Sequence, residues 1–138
     1  MIEFLVNIRP KPQQRHRSRG KYFYDPSVQD KKTFITLIKR QIPKKPLLYP
    51  FDMHITFCYK RPKNQYRTKN KKLILKDDVP YYKSNKPDID NLIKFYMDCM
   101  NGLVYKDDAQ VVSINAQKVY GSKDYIHIKL FHKKKYCK

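Results

Sequence analysis

The sequence predicts an α+β fold: a single compact domain, residues 1–138, with a mixed β-sheet and about two main helices. Three observations carry that expectation. Four segments alternate apolar and polar residues with a period of two, the mark of half-buried strands. Two others repeat apolar residues every three or four positions, the mark of helices. The chain of 138 residues is long enough for one core and too short for two comfortable ones.

Taken in order, Ile2, Phe4, Val6 and Ile8 share one face of a first strand, which Arg9-Pro10 stops. From Arg9 to Lys21 the chain reads as a basic loop, carrying Arg9, Lys11, Arg15, Arg17, Arg19 and Lys21 before the aromatic run Tyr22-Phe23-Tyr24 and a turn at Asp25-Pro26-Ser27. A helix starting after Ser27 or near Asp30 follows from the spacing of Phe34, Ile35, Ile38 and Ile42, and the stretch Pro43 to Pro50 ends it. Phe51, Met53, Ile55, Phe57 and Tyr59 then alternate with polar neighbours as a second strand. Residues from about 60 to 85 form the least regular stretch, read as a lysine-rich flexible loop in which Tyr66, Tyr81 and Tyr82 are available to stack on unpaired bases. The bland reading of this loop is a solvated insertion.

Asp90 or Asn91 is the expected N-cap of a second helix. Its apolar positions are Leu92, Ile93, Tyr96, Met97 and Met100, and Asn101-Gly102 closes it. A third strand from about Gln110 to Tyr120, a turn at Gly121 to Asp124 and a fourth strand from Tyr125 to Phe131 complete the core. Residues 132–138 read as a basic tail.

Lys and Arg number 31 against 12 for Asp and Glu, a formal charge of +19. A compact state with that charge repels itself unless a polyanion lies nearby, so nucleic acid is the expected partner. No basic amphipathic helix or long apolar run supports a membrane partner. There is no P-loop and no GxGxxG among only 3 glycines, which argues against a nucleotide cofactor. Cys58, Cys99 and Cys137 make an odd count without a C-x-x-C pair, so neither a disulfide framework nor a zinc site is expected, and an intracellular setting fits. His16, His54, His127 and His132 share no motif and are read as surface residues or phosphate contacts.

The informative anomaly is acidic. Five of the 12 acids, Asp88, Asp90, Asp98, Asp107 and Asp108, fall within 21 residues of a basic chain. Gathered carboxylates repel unless a cation neutralises them, and oxygen ligands favour Mg²⁺, with Mn²⁺ able to substitute. Asp88 and Asp90 flank a helix start, Asp107 or Asp108 could add a third carboxylate, and Lys94, one turn after Asp90, could hold a phosphate. Each has a plainer role available: Asp90 as cap, Lys94 pairing with Asp90 or Asp98, Asp107-Asp108 as a turn, and Asp98 as a surface ion pair with Lys94. Their coincidence in a basic protein favours chemistry.

The string Lys86-Pro87-Asp88-Ile89-Asp90-Asn91-Leu92-Ile93-Lys94, with Asp98, Asn101-Gly102 and Asp107-Asp108-Ala109-Gln110-Val111-Val112, resembles the RusA family of Holliday junction resolvases. The likeness runs from Lys86 to about Tyr120, including Lys118, and Pro10 to Arg15 resembles the family's loop after the first strand; the lysine-rich stretch from Lys60 to Tyr82 is unmatched. The resemblance implies a homodimer that binds four-way DNA junctions and cuts two opposed strands with Mg²⁺. It sets the catalytic and metal-binding acids on Asp88, Asp90 and Asp108 and the catalytic lysine on Lys94, with Asp107 as a possible helper. A two-fold junction also suits a two-fold dimer on physical grounds. Lys11, Arg15, Arg17, Arg19, Lys60, Arg61, Lys63, Arg67, Lys86 and Lys118 are the expected DNA-binding residues. The rival expectations are a non-catalytic basic nucleic-acid-binding module and a nuclease for flaps or other branched substrates.

Overall fold

The computed structural model describes residues 1–15 and 17–134. In chain order it contains β1 (Ile2–Val6), β2 (Arg17–Arg19), β3 (Tyr22–Tyr24), α1 (Val28–Ile38), β4 (Phe51–Lys60), β5 (Tyr66–Lys69), β6 (Lys72–Leu75), α2 (Ile89–Met100), β7 (Val111–Gly121) and β8 (Tyr125–His132). Single 3-10 turns stand at Lys39–Gln41, Lys63–Gln65 and Asp108–Gln110. The main sheet has the order β1-β8-β4-β7, with β1–β8 and β8–β4 antiparallel and β4–β7 parallel. The two helices and the four strands of this sheet are those the periodicity predicts, and the sheet is mixed, as the family resemblance implies. His16 and Cys137, and the end of the basic tail from 135 onward, lie outside the described residues.

Both helices bury their apolar stripes on one face of the sheet. On β4 the residues Phe51, Met53, Ile55, Phe57 and Tyr59 are all buried, meeting Phe34 and Ile38 of α1 and Leu92, Phe95, Tyr96, Cys99 and Met100 of α2. The Tyr96 ring is the hub, with centroids 4.8 Å from Phe34, 5.7 Å from Phe57 and 4.7 Å from Phe95. Each such side chain contributes roughly 1.5–3 kcal/mol by leaving water. The stripe of α2 steps at i, i+3, i+4, i+7 and i+8, so Phe95 and Cys99 are core positions that the sequence reading left out, while Ile93 and Met97 are only partly buried.

The other face of the sheet is polar. Asp52 accepts hydrogen bonds from Ser113 Oγ (2.7 Å) and sits 2.8 Å from His54 Nε2. The carboxylate therefore stands between hydroxyl and imidazole, one oxygen on each. His127 pairs with Glu3 at 2.6 Å on this face, whereas His132, the register partner of buried Phe51, stacks on Tyr49 at the edge of the core, with ring centroids 3.8 Å apart. At the end of the parallel pair, a Cβ built on Gly121 would lie only 2.6 Å from Cys58 Sγ, so the two strands meet there without room for a side chain.

Three expectations need correcting. The basic loop after β1 contains a hairpin, β2–β3, whose two-residue turn begins at Gly20 with φ +66. The stretch from 60 to 85 contains a second, β5–β6, pairing Tyr66 with Leu75 and Lys69 with Lys72. Its turn residues Asn70 and Lys71 have φ of 51 and 63, the pair of positive values that suits the twist of a two-residue hairpin. The apolar run Leu73-Ile74-Leu75 is what supplies the strand there, masked in the sequence by flanking lysines. Finally, α2 starts at Ile89 with Asp88, not Asp90 or Asn91, as N-cap, because partly buried Ile89 already packs on the core.

Asp25 ties the first loop to α1. Its carboxylate accepts from Ser27 N (2.9 Å), Gln13 Nε2 (3.1 Å) and Lys31 Nζ (2.8 Å). Burial alone would raise its pKa, but the Lys31 and Ser27 hydrogen bonds win and hold it below the ordinary 3.8. A depressed acid stabilises the fold above its unfolded value and loses that contribution as pH falls through the folded one. Asp25→Asn is expected to lower unfolding free energy by about 1–3 kcal/mol at pH 7. In urea melts from pH 7 to pH 2 the gap to wild type should close only below the ordinary carboxylate pKa; a gap independent of pH would remove the ionic explanation.

Candidate active site and nucleic-acid face

The start of α2 presents two of the expected acids. Asp88 has the extended backbone of an N-cap (φ −69, ψ 141), and its carbonyl accepts Leu92 N at 3.2 Å. Its side chain makes no capping hydrogen bond and instead meets Lys86 Nζ at 2.9 Å, exposed to solvent. Asp90 lies exposed in the first turn, where a negative charge is favoured by the helix dipole. Lys94 is exposed one turn on. Among the described residues neither Asp90 nor Lys94 has an ion-pair partner. The expected Asp98–Lys94 pair is replaced by Asp98–Lys31 at 3.7 Å, a bridge between the two helices.

Opposite this helix face runs the segment after β1. Lys11 N donates to Tyr96 Oη (3.0 Å), Gln13 N to Asn91 O (3.0 Å) and Gln14 N to Ser27 Oγ (3.0 Å). The result is a cleft walled by Gln13, Gln14 and Arg15 on one side and Asn91, Lys94 and Asp98 on the other. Arg15 and Lys94, assigned separately from the sequence, share this cleft. Gln13 Oε1 is buried in its wall with no hydrogen-bond partner. Gln13 and Asn91 as wall residues went unnoticed in the sequence, since neither is charged.

Asp107 and Asp108 occupy the tight connection between α2 and β7. Asp107 caps the 3-10 turn, accepting from Ala109 N at 3.1 Å while Gln110 Oε1 accepts from Asp107 N at 2.8 Å. Gln110 Nε2 in turn donates to Leu47 O (2.9 Å) and Tyr49 O (3.0 Å), so this corner is fixed to the core. The Ala109 hydrogen bond keeps Asp107 below the usual carboxylate range, while contact with the Asp107 carboxylate, then burial and the charges of Asp107 and Asp98, push Asp108 above it. The turn role accounts for Asp107 and leaves Asp108 as the acid without a structural duty.

Asp108 feels Asp98, in the last third of α2, whereas Asp88 and Asp90 stand at the helix start. At 1.5 Å per residue Asp90 and Asp98 are separated by about 12 Å along the axis. Among the described residues no group of three or more His, Cys, Asp or Glu is gathered closely enough to hold a metal ion. The donor set still suits a hard cation. Two exposed carboxylates at a helix start are the protein share that Mg²⁺ commonly takes, the remaining positions going to water and substrate phosphate.

The expected DNA-binding residues divide into two kinds. Arg17, Arg19, Lys60, Lys63, Arg67 and Lys86 are exposed, as are Lys11 and Arg15. Arg61 and Lys118 are turned inward. Arg61 donates to Gln65 Oε1 (3.0 Å) and Pro80 O (2.7 Å), and Lys118 Nζ donates to Asn85 O and Pro87 O, both at 2.7 Å. Lys118 thus pins the loop leading into Asp88 to β7, helped by Lys83 N donating to Lys118 O (3.0 Å). The sequence could not show this, because a lysine that binds phosphate and one that binds carbonyls look alike.

The model of a known family, endodeoxyribonuclease RusA, matches residues 6–131. This chain belongs to the RusA family. It is a nuclease of that family, as the residues from Lys86 to Val112 led one to expect. A RusA relative named crossover junction endodeoxyribonuclease, from Lactococcus phage r1t, is 30% identical over 138 residues, covering 94% of this chain and 95% of its own. The uncharacterized protein YqaN of Bacillus subtilis (strain 168) is 29% identical over 119 residues, 86% of this chain and 78% of its own. RusA-family nucleases generally depend on divalent metal. No helix of the described residues is long and apolar enough to cross a membrane.

Replacing Lys118 by Met removes both carbonyl contacts from the loop before Asp88. We expect a loss of about 1–3 kcal/mol in unfolding free energy, read as a lower urea midpoint, with little change in the salt dependence of DNA binding. A full-strength fold with a reduced salt dependence would return Lys118 to the phosphate-binding set.

Proposed function

We propose that this chain resolves four-way (Holliday) DNA junctions by paired, symmetric strand cuts, using Mg²⁺ and acting as a homodimer. The phage relative, named for crossover junctions and alignable over nearly both whole chains, carries this reading. The +19 charge and the basic cleft beside α2 support a branched polyanion as substrate. Recombination, repair or the processing of branched viral or phage genomes are the settings in which such a cut is needed.

In this reading Asp88 and Asp90 hold the cation, with Mn²⁺ able to replace Mg²⁺, and Asp108 serves as the third acid. When bound, the cation supplies Lewis-acid stabilisation of charge on the scissile phosphate. Asp88 is suited to the role because its carboxylate is not spent on capping α2. Lys94 faces the cleft and offsets charge on the phosphate oxygens as the bond breaks. Asp107 acts on Asp108, holding it in a defined turn. Lys11, Arg15, Arg17, Arg19, Lys60, Lys63, Arg67 and Lys86 track the backbone of the arms without reading bases.

Support for a homodimer comes from β7. The run Ala109 to Gln117 is the longest stretch of the chain without Asp, Glu, Lys or Arg, and most of it lies along the open edge of the main sheet. Val112 and Ile114 are exposed there, at 58% and 41%. Two copies each carrying +19 repel almost everywhere else, and an uncharged edge is a surface on which they can meet about a two-fold axis.

A labelled immobile four-way junction and a matched linear duplex, incubated with the protein and Mg²⁺ or EDTA, test this on a denaturing gel. We expect symmetric nicks in the junction alone, lost with EDTA and reduced by about 10²–10³-fold in Asp90→Asn, the scale of losing one group that stabilises charge on the reacting phosphate. Asp90→Asn should still bind the junction. Binding without cutting under both Mg²⁺ and Mn²⁺ would sink the resolvase reading, and cutting of flaps in preference to junctions would change its substrate.

A further inference from the structure

Five cations converge where β4 and β7 end together. The Arg9 guanidinium lies 5.0 Å from the centre of the Tyr59 ring and Lys83 Nζ lies 5.1 Å from the same ring and 5.5 Å from that of Tyr120. Arg61 sits 5.6 Å from the Tyr120 ring. Lys118 is close enough to feel the charges of Lys83, Lys86 and Asp88. Among the described residues, Asp124, 3.6 Å from Arg9, and Asp88, held by Lys86, stand against them.

Arg61 and Lys118 are committed to backbone carbonyls, but Arg9 and Lys83 are not. Lys83 bonds only the neutral side-chain oxygen of Asn85, and among the described residues it has no carboxylate partner. Both cations are held in place by the frame. Pro10 O, next to Arg9, accepts Tyr59 Oη at 3.2 Å, and the Lys83 backbone is tied to β7. Partial burial and the Arg9 charge lower the Lys83 pKa, the signature of a cation short of counter-charge. Cation–π contact offsets part of that cost but cannot neutralise two charges on one ring.

We propose that Arg9 and Lys83 form a phosphate seat, taking one DNA phosphodiester at the strand ends beside Asp88. The seat is one segment from the proposed active site, since the chain runs directly from Lys83 through the carbonyl-pinned loop to Asp88. A phosphate there fixes the register of the strand relative to the acids. Neither residue stood out in the sequence, because Arg9 follows a strand and Lys83 is one of many lysines. The inference rests on the nuclease reading for its DNA, but its test reads binding and stability and is independent of cleavage.

The test compares Lys83→Met and Arg9→Met with Lys72→Met, an exposed lysine on the β5–β6 hairpin. Junction binding by fluorescence anisotropy between 50 and 300 mM salt gives the number of phosphates neutralised. Loss of one is expected to lower the log–log slope by about 0.9 in each seat variant. Lys83→Arg should restore it. In the free protein, removing one of two crowded cations should leave the melting temperature equal or higher, and the rise that inorganic phosphate produces in wild type and Lys72→Met should shrink. If both seat variants keep the slope and phosphate response of Lys72→Met, the proposal fails. It fails equally if weaker binding comes with a fall in melting temperature, which would make the two cations structural. Wild-type protein that binds junctions but never cuts them would count against the resolvase reading and leave this comparison standing.

Discussion

The parallel pairing of β4 with β7 governs the rest of the molecule. Parallel neighbours cannot be joined by a tight turn; the chain must leave one end of the sheet and return to the other. Here the return is made over one sheet face by α2, and every acid of the cluster from Asp88 to Asp108 belongs to that crossing. The sheet therefore carries the stability while the crossing carries the acids proposed for catalysis. Burial of Leu92, Phe95, Tyr96, Cys99 and Met100 fixes which side of α2 faces inward, and so leaves Asp90, Asn91, Lys94 and Asp98 outward.

That division explains which parts could be read from the sequence. β4 and β8 were legible because alternation with a buried face is a strong pattern, and α2 because its stripe is strongly amphipathic. The two small hairpins were not: β2 and β3 have only exposed residues, and β5 and β6 almost only exposed ones, so burial leaves little trace in their composition. The cap of α2 was misplaced by two residues because Asp88, Asp90 and Asn91 all suit an N-cap, and only packing of Ile89 decides among them.

The candidate site divides similarly. Its acids stood out as an anomaly of charge and Lys94 by its spacing one turn after Asp90, while the choice of Asp108 over Asp107 rests on family resemblance. Basic residues were harder. Lys118 and Arg61 hold carbonyls, while Arg9, paired with Asp124 at 3.6 Å, and Lys83, with no carboxylate partner among the described residues, sit over a tyrosine ring, and nothing in a list of lysines and arginines distinguishes the two situations. Contacts across the fold make the difference: Lys118 with the loop before Asp88, Lys83 with a ring on β4.

The approach of β4 to β7 at Gly121 ties two distant positions in the chain's history. Because a methyl group at 121 would meet the sulfur of Cys58, neither site is free to drift alone. A lineage in which residue 121 acquires a side chain must first, or at once, have shrunk residue 58, and one that enlarges residue 58 must keep the glycine. Arg61, whose amide is received by the Gly121 carbonyl at 3.0 Å, leaves the sheet at this same point. A mismatch between the two positions would therefore be transmitted to the root of the β5–β6 hairpin, which makes the pair a place to look for compensated changes.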